Sequence, residues 1–163
     1  MTQAPPCVVD VEASGFGSGS YPIEVGFVLP DGRAYCTLIR PEPEWTHWDA
    51  QAEALHGISR DTAVAHGKPA AEVADVLNRE LAGITVYSDA WSHDYSWLSV
   101  LFEAAGTAPR FKLAHLRDLV GEAQLERLDQ AKADGRTALQ VQRHRASGDA
   151  RVLQWAVMRV RGA

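Results

Sequence analysis

The sequence lacks most of what marks a membrane or exported protein. No uninterrupted apolar run approaches the ~18–20 residues that a membrane span needs, and no basic segment followed by an apolar stretch opens the chain. Neither a membrane partner nor a leader is expected. Cysteine is scarce, with only Cys7 and Cys36, both in apolar strand-like stretches. A disulfide between them is neither required nor forbidden, and a reducing, cytoplasmic compartment is the expected location. Positive charge is also short: 16 Lys/Arg against 21 Asp/Glu leave a net charge of −5. That argues against a protein that holds nucleic acid by charge alone. The shortage is uneven. Residues 1–135 carry 10 basic against 20 acidic residues, whereas residues 136–163 carry Arg136, Arg143, Arg145, Arg151, Arg159 and Arg161 against Asp149 alone. Such a segment can contact phosphates, or it can be the solvated face of a last helix.

What is present suits one soluble domain, residues 1–163, because 46% hydrophobic and 23% charged content is ordinary for a globular chain and no repeat or interdomain linker interrupts it. The run from Cys7 to Phe16 reads as a strand closing in a Gly/Ser-rich loop, Ser14 to Pro22. Ile23–Leu29 is a second predicted strand, Pro30-Asp31-Gly32 a turn, and Ala34–Ile39 a third strand, so the three form an antiparallel meander. The period then changes. Trp48, Ala52 and Leu55 fit one helical face stopped at Gly57, Ser59 caps a short helix through Val64, and Lys68-Pro69 opens a helix carrying Val73, Val76, Leu77 and Leu81. Ile84–Tyr87 is a short strand, residues 88–93 a polar loop, and residues 94–105 a helix with Trp97, Leu98, Leu101 and Phe102 on its apolar face. Arg110–Leu113 reads as the last strand. Helix follows over about His115–Leu128 in one or two pieces, with a break at Asp134-Gly135 and a final helix from about Ser147 to Val160. A meander followed by helices alternating with further strands predicts an α/β fold, a mixed sheet flanked by helices. That order resembles the ribonuclease H-like fold.

Three stretches carry chemistry. Asp10 and Glu12 are two positions apart in a strand, so both point to one face roughly 6–7 Å apart. In a buried strand such a pair calls for a divalent cation such as Mg²⁺ or Mn²⁺, whereas on a solvated edge strand it needs no partner. Asp94 stands at a strand–loop–helix junction, where it can reach the carboxyl end of the strand or act only as a helix N-cap. His144 precedes Asp149 by five residues at the start of the last helix, so both can face one cavity.

Together these residues resemble the three motifs of the DEDD superfamily of 3'-to-5' exonucleases, in the subclass with histidine. That family includes the proofreading subunit of bacterial replicative polymerase, ribonuclease T and oligoribonuclease. Asp10, Glu12, Ser14, Gly15 and Phe16 match the first motif, Asp94, Trp97 and Leu98 the second, and His144 and Asp149 the third. His56-Gly57-Ile58-Ser59 resembles a family segment between the first two. Two positions depart from the pattern. Asp89-Ala90 stands where a polar pair such as His-Asn is common, implying an altered groove or an extra acidic group, and Ser14 replaces the usual Thr while keeping its hydroxyl.

The resemblance implies hydrolysis of single-stranded DNA or RNA from the 3' end, using two divalent cations. It implies that Asp10 bridges both ions, that Glu12 and Asp149 complete one site and Asp94 supports the other, and that His144 is the general base. An imidazole, with an ordinary pKa of about 6.5, is largely neutral at working pH and can take a proton from water. Ser14, Gly15, Phe16 and His56 are the implied substrate-binding residues, with Phe16 wedged against the last bases or else capping the core. Trp97 and Trp155 are expected in the core, and Trp45, Trp48 and Trp91 near loops. An oligoribonucleotide degrader and an inactive nucleic-acid-binding module are the alternatives, and a homodimer is left open. A polymerase-binding tail is not expected, because about fourteen residues follow Asp149.

Overall fold

Alternation along the first strand decides the layering. In the computed structural model, which describes residues 3–142 and 144–162, β1 (Cys7–Ala13) is the middle strand of a five-stranded sheet. Cys7, Val9, Val11 and Ala13 enter one apolar core, while Val8 enters another on the opposite face. A strand buried on both faces reads as a near-continuous apolar run, as the segment Cys7-Val8-Val9 does.

The sheet order is β3-β2-β1-β4-β5. β2 (Pro22–Val28) pairs antiparallel with β1 and with β3 (Ala34–Leu38), giving the expected meander. β4 (Thr85–Ser88) and β5 (Lys112–His115) then run parallel to β1, so the sheet is mixed. Between β3 and β4 come α1 (Ala50–His56), α2 (Arg60–His66) and α3 (Ala70–Leu81), and between β4 and β5 comes α4 (Trp91–Ala105). The chain closes with a short 3-10 turn, Leu116–Leu119, then α5 (Glu122–Leu139) and α6 (Ala146–Arg161). Val73, Leu77 and Leu81 of α3 and Leu98, Leu101 and Phe102 of α4 cover one face of the sheet; Leu128 and Ala131 of α5 and Leu153, Val157 and Val160 of α6 cover the other. Among the described residues, no helix is long and apolar enough to cross a membrane.

Several local expectations shift. α5 runs unbroken through Asp134-Gly135, because a side chain at Gly135 would press on the Trp155 ring at 2.9 Å; this glycine permits a close helix crossing rather than ending a helix. The predicted strand at Arg110–Leu113 lies two residues later, and the helix predicted over about His115–Leu128 forms in two pieces, the 3-10 turn Leu116–Leu119 behind His115 and then α5 from Glu122. α4 starts at Trp91, so Asp94 is in its first turn and is not its N-cap, a place held by Ala90 without a side-chain bond. β1 is central, so the solvated-edge reading of Asp10 and Glu12 does not hold. Cys7 is buried, its thiol pushed up to about 12 by burial, and Cys36 is exposed on β3; both are free. Trp97 is buried as expected, and Trp155 packs against the second core. Trp45 and Trp48 pack around Tyr21 and Ile58 in a third cluster, leaving Trp91 at the surface.

Candidate active site

Five side chains from four chain segments meet at the carboxyl end of β1. Val8 faces the α5/α6 layer, and alternation carries Asp10 and Glu12 to the same side. Asp10 pairs across the ladder with Gly26 of β2, and Glu12 with Glu24. Gly26 is where α6 arrives: a Cβ there would lie 2.5 Å from the Ser147 nitrogen and 2.7 Å from the Ala146 carbonyl carbon. Only glycine lets the start of α6 rest on the sheet at that point, and this brings Asp149, in the first turn of α6, beside Asp10.

Glu24 locks the arrangement. Although 1% exposed, it accepts a bond from the Ala146 backbone N–H at 2.8 Å and pairs with Arg145, whose Nη2 lies 2.7 Å from Oε2. A carboxylate capping a helix N-terminus is stabilised by the free N–H groups and the helix dipole. Arg145 also offsets the two glutamates facing each other across the ladder. Of the arginines in the basic segment that can contact phosphates, Arg145 is committed to Glu24, and Arg143 lies outside the described residues. Sequence reasoning passed over Glu24, although a lone carboxylate in the apolar run Ile23-Glu24-Val25 was a signal. Glu24→Gln is expected to cost about 2–3 kcal/mol, below the ~3–5 kcal/mol of a fully buried pair because Arg145 is half exposed. Thermal melting should show the loss. Catalytic turnover should fall with it, since both His144 and Asp149 hang on the start of α6.

The loop before α6 is drawn in by Asp149, whose Oδ2 accepts the His144 backbone N–H at 2.9 Å, and His144 adopts a left-handed backbone with φ of 61°. That conformation is unfavourable for a histidine and persists because the bond to Asp149 holds it. One ligating atom from each of Glu12, His144 and Asp149 can be chosen so that all three lie within 4.8 Å of one another. Asp94 completes the group. It is 1% exposed, accepts a hydrogen bond from the Ser88 hydroxyl at the end of β4, and lines the same cleft as Asp10, Glu12, His144 and Asp149.

So many carboxyls in one place repel their own ionisation. Asp10 is pushed well above the usual carboxylate range, first by burial and then by Asp94, Glu12, Asp149 and Glu24. Burial and the charges of Asp149, Glu24 and Asp94 push Glu12 up to about 8. Asp94 is raised to about 7, mainly by burial, with the Ser88 bond opposing. One oxygen of Asp10, Oδ2, is buried without a hydrogen-bond partner among the described residues. An orphaned, buried acceptor among hard oxygen donors fits a divalent cation, which would reverse these shifts.

The cleft, about 190 Å³ and open to solvent, continues past Gly15 and Phe16 to His56, His93 and Trp97. Phe16 is 59% exposed, with its ring 5.3 Å from His93 and 5.9 Å from Trp97, so it does not cap the core. Ser14 departs from expectation. It is fully buried and does not line the cleft; its hydroxyl bonds His47 Nδ1 at 3.0 Å and accepts the Tyr21 N–H at 3.1 Å. His56 reaches the cleft with both ring nitrogens engaged, Nε2 donating to the Ala13 carbonyl and Nδ1 accepting from Ile58, and burial lowers its pKa. It braces the end of β1. At the departure Asp89-Ala90, Asp89 pairs with Lys132 of α5 at 2.9 Å, yet its charge still adds to the rise of Asp94.

The chain superposes on solved structures of exonuclease I. The fold is ribonuclease H-like. E. coli exonuclease I in complex with a dA16 oligonucleotide matches over 93% of this chain and 39% of its own, with a TM-score of 0.68 at 13% identity. The zinc-bound E. coli exonuclease I–single-stranded DNA complex matches over 91% and 38%, with a TM-score of 0.66 at 13% identity. Exonuclease I from Methylocaldum szegediense matches over 75% and 29%, with a TM-score of 0.54 at 14% identity. This chain thus spans about two fifths of the length of the E. coli enzyme. At such low identity the likeness concerns the fold. No protein-family model matches the sequence, and no curated protein matches it.

Proposed function

We propose that this chain is a metal-dependent 3'-to-5' exonuclease domain of the DEDD superfamily, in the subclass with histidine, acting on single-stranded nucleic acid and releasing nucleoside 5'-monophosphates. The observation that carries the reading is the convergence of Asp10, Glu12, Asp94, Asp149 and His144 on one cleft of a ribonuclease H-like fold. The complexes of exonuclease I with single-stranded oligonucleotides, one of them zinc-bound, add support for the substrate class and for a metal.

In this mechanism Asp10, Glu12, Asp94 and Asp149 would hold two divalent cations, Mg²⁺ or Mn²⁺. Bound there, the ions supply the positive charge that an in-line phosphodiester displacement needs at both its attacking and its leaving oxygen. The rest falls to the protein. Asp10 would be a ligand through its buried Oδ2, which among the described residues accepts no hydrogen bond. An imidazole nitrogen of His144 takes the proton of the attacking water, and the Asp149 bond to the His144 backbone keeps the ring at the mouth of the site. Phe16, flanked by Gly15 and Gly17 and leaning on His93 and Trp97, stacks against the terminal base. With the Ser14 hydroxyl turned inward, the terminal 3'-hydroxyl is left to backbone groups around Gly15 and Phe16.

End-labelled DNA and RNA single strands, digested with Mg²⁺ or Mn²⁺, should shorten from the 3' end, and chelator should stop the reaction. A strand blocked at its 3' end should resist. Release of a labelled 5'-terminal mononucleotide as first product would refute the polarity, and a strong preference for very short RNA would move the reading to an oligoribonucleotide degrader.

A further inference from the structure

We propose that Trp91 and Tyr95, on the first two turns of α4, form a stacking platform for the unpaired bases just upstream of the scissile phosphate. The inference rests on the exonuclease reading and adds to that site a position for the nucleotides that are not yet being cleaved.

The two rings stack with centroids 5.1 Å apart and planes at 24°, and they remain 37% and 53% exposed. Neither belongs to any of the three apolar clusters. Single exposed aromatics are ordinary, but here each ring already holds the other, so little side-chain freedom is left to lose when a ligand stacks on them. Trp91 is pinned further by its indole N–H, which donates to the Leu113 carbonyl of β5 at 3.3 Å.

Helix geometry sets the direction of the strand. At about 100° per residue, positions 93 and 97 fall to one side of Asp94 and positions 91 and 95 to the other. His93 and Trp97 stack on each other beside Phe16, within the cleft. A strand whose scissile phosphate lies at Asp94 therefore places its terminal nucleoside on the Phe16–His93–Trp97 side. The nucleotide before it falls on the Trp91–Tyr95 side, within about one turn, or ~5.4 Å along the axis.

The occupant is a base and not a phosphate or a protein. Residues 1–135 carry a net charge of −10, so a strand leaving the carboxylate cleft gains little from charge, and its grip must come from neutral contacts. Ring-on-base stacking supplies that whatever the sequence. Two half-exposed rings are also far smaller than the ~1,000 Å² that a specific protein interface buries.

The test compares wild type, Trp91→Ala, Tyr95→Ala and Tyr95→Phe on a ten-residue deoxyadenylate strand, a ten-residue thymidylate strand and the p-nitrophenyl ester of thymidine 5'-monophosphate, which carries no upstream base. Tyr95→Ala should raise KM for the adenine strand about 5- to 100-fold, the range for one stacked base, with kcat unchanged. The rise should be smaller on thymidylate, absent on the nitrophenyl ester and restored by Tyr95→Phe; Trp91→Ala should follow Tyr95→Ala. Unchanged KM in both alanine variants, with wild type active, would overturn the platform. So would a change in solution mass by light scattering on either substitution, since the rings would then be a protein contact. If wild type cleaves none of the three substrates, the exonuclease reading itself falls and the platform with it.

Discussion

Replacing Asp10 by Asn is expected to lower nuclease turnover by about 10³-fold or more while making the metal-free protein more heat-resistant. The first effect follows from the proposed role: Asp10 is buried among Glu12, Asp94 and Asp149 in one cleft, and Asn in its place would offer a bound cation no charge. Several kcal/mol of charge stabilisation lost in the transition state corresponds to that fold-change. The second effect follows from repulsion. Burial and four neighbouring carboxylates push Asp10 up, which means that its charged form is destabilised in the folded chain. Asn keeps the shape and removes the charge. A gain of about 1–2 kcal/mol would move the melting midpoint up by about 2–8 °C for a chain of this size.

The same raised groups give the metal-free protein a slope with pH. A carboxyl raised in the folded state binds protons more tightly there than in the unfolded chain, so its contribution is fully present below the unfolded value and is lost as pH rises through the folded one. For Glu12, raised from 4.5 to about 8, that window runs from about pH 4.5 to 8; for Asp94, raised from 3.8 to about 7, it runs from about pH 4 to 7. Melting in chelator should therefore fall in temperature from pH 5 to pH 8, and Mn²⁺ should restore it most at the alkaline end. A flat profile in chelator, or an Asp10→Asn variant that remains fully active, would remove the basis for a metal centre here.

Removing the imidazole of His144 is expected to cut kcat by about 10²–10⁴-fold, the usual contribution of a positioned proton acceptor. The fold should survive the change. The bond tying this loop to Asp149 runs through the backbone N–H of residue 144, so His144→Ala keeps it. The nearness of Glu12, His144 and Asp149 raises a competing role for the ring as a metal ligand. The two roles separate in a metal titration. A base lost leaves the half-saturating Mn²⁺ concentration unchanged and kcat low at saturation; a ligand lost raises that concentration, and excess Mn²⁺ recovers activity. We expect the first outcome, because a hard-cation site that already has four carboxylates gains little from an imidazole nitrogen. Loss of melting temperature in step with activity would instead assign His144 a structural role.

Much of the site can be read along the chain because its chemistry is local in sequence. Asp10 and Glu12 are linked by strand alternation, His144 and Asp149 by a helix start, and Asp94 by a strand–helix junction; each relation needs only the backbone period of its own element. The order of elements, and with it the mixed sheet, likewise follows from a change of apolar period near Trp48. Other features depend on residues far apart in sequence, and local pattern cannot carry them. Gly135 looks like a break until Trp155 is found against it, and Ser14 looks like a substrate contact until His47 and Tyr21 claim its hydroxyl. Glu24 is one charge in an apolar strand until Arg145 and Ala146, more than a hundred residues later, dock on it. Gly26, unremarked as a residue, decides how closely α6 can approach the sheet. Local periodicity thus puts each motif residue on its element and the resemblance to a family joins them into one set, whereas their mutual distance, their burial and their shifted proton affinities arise only when separate elements are packed into one low-dielectric cleft, because charge repulsion and desolvation act through space and not along the chain.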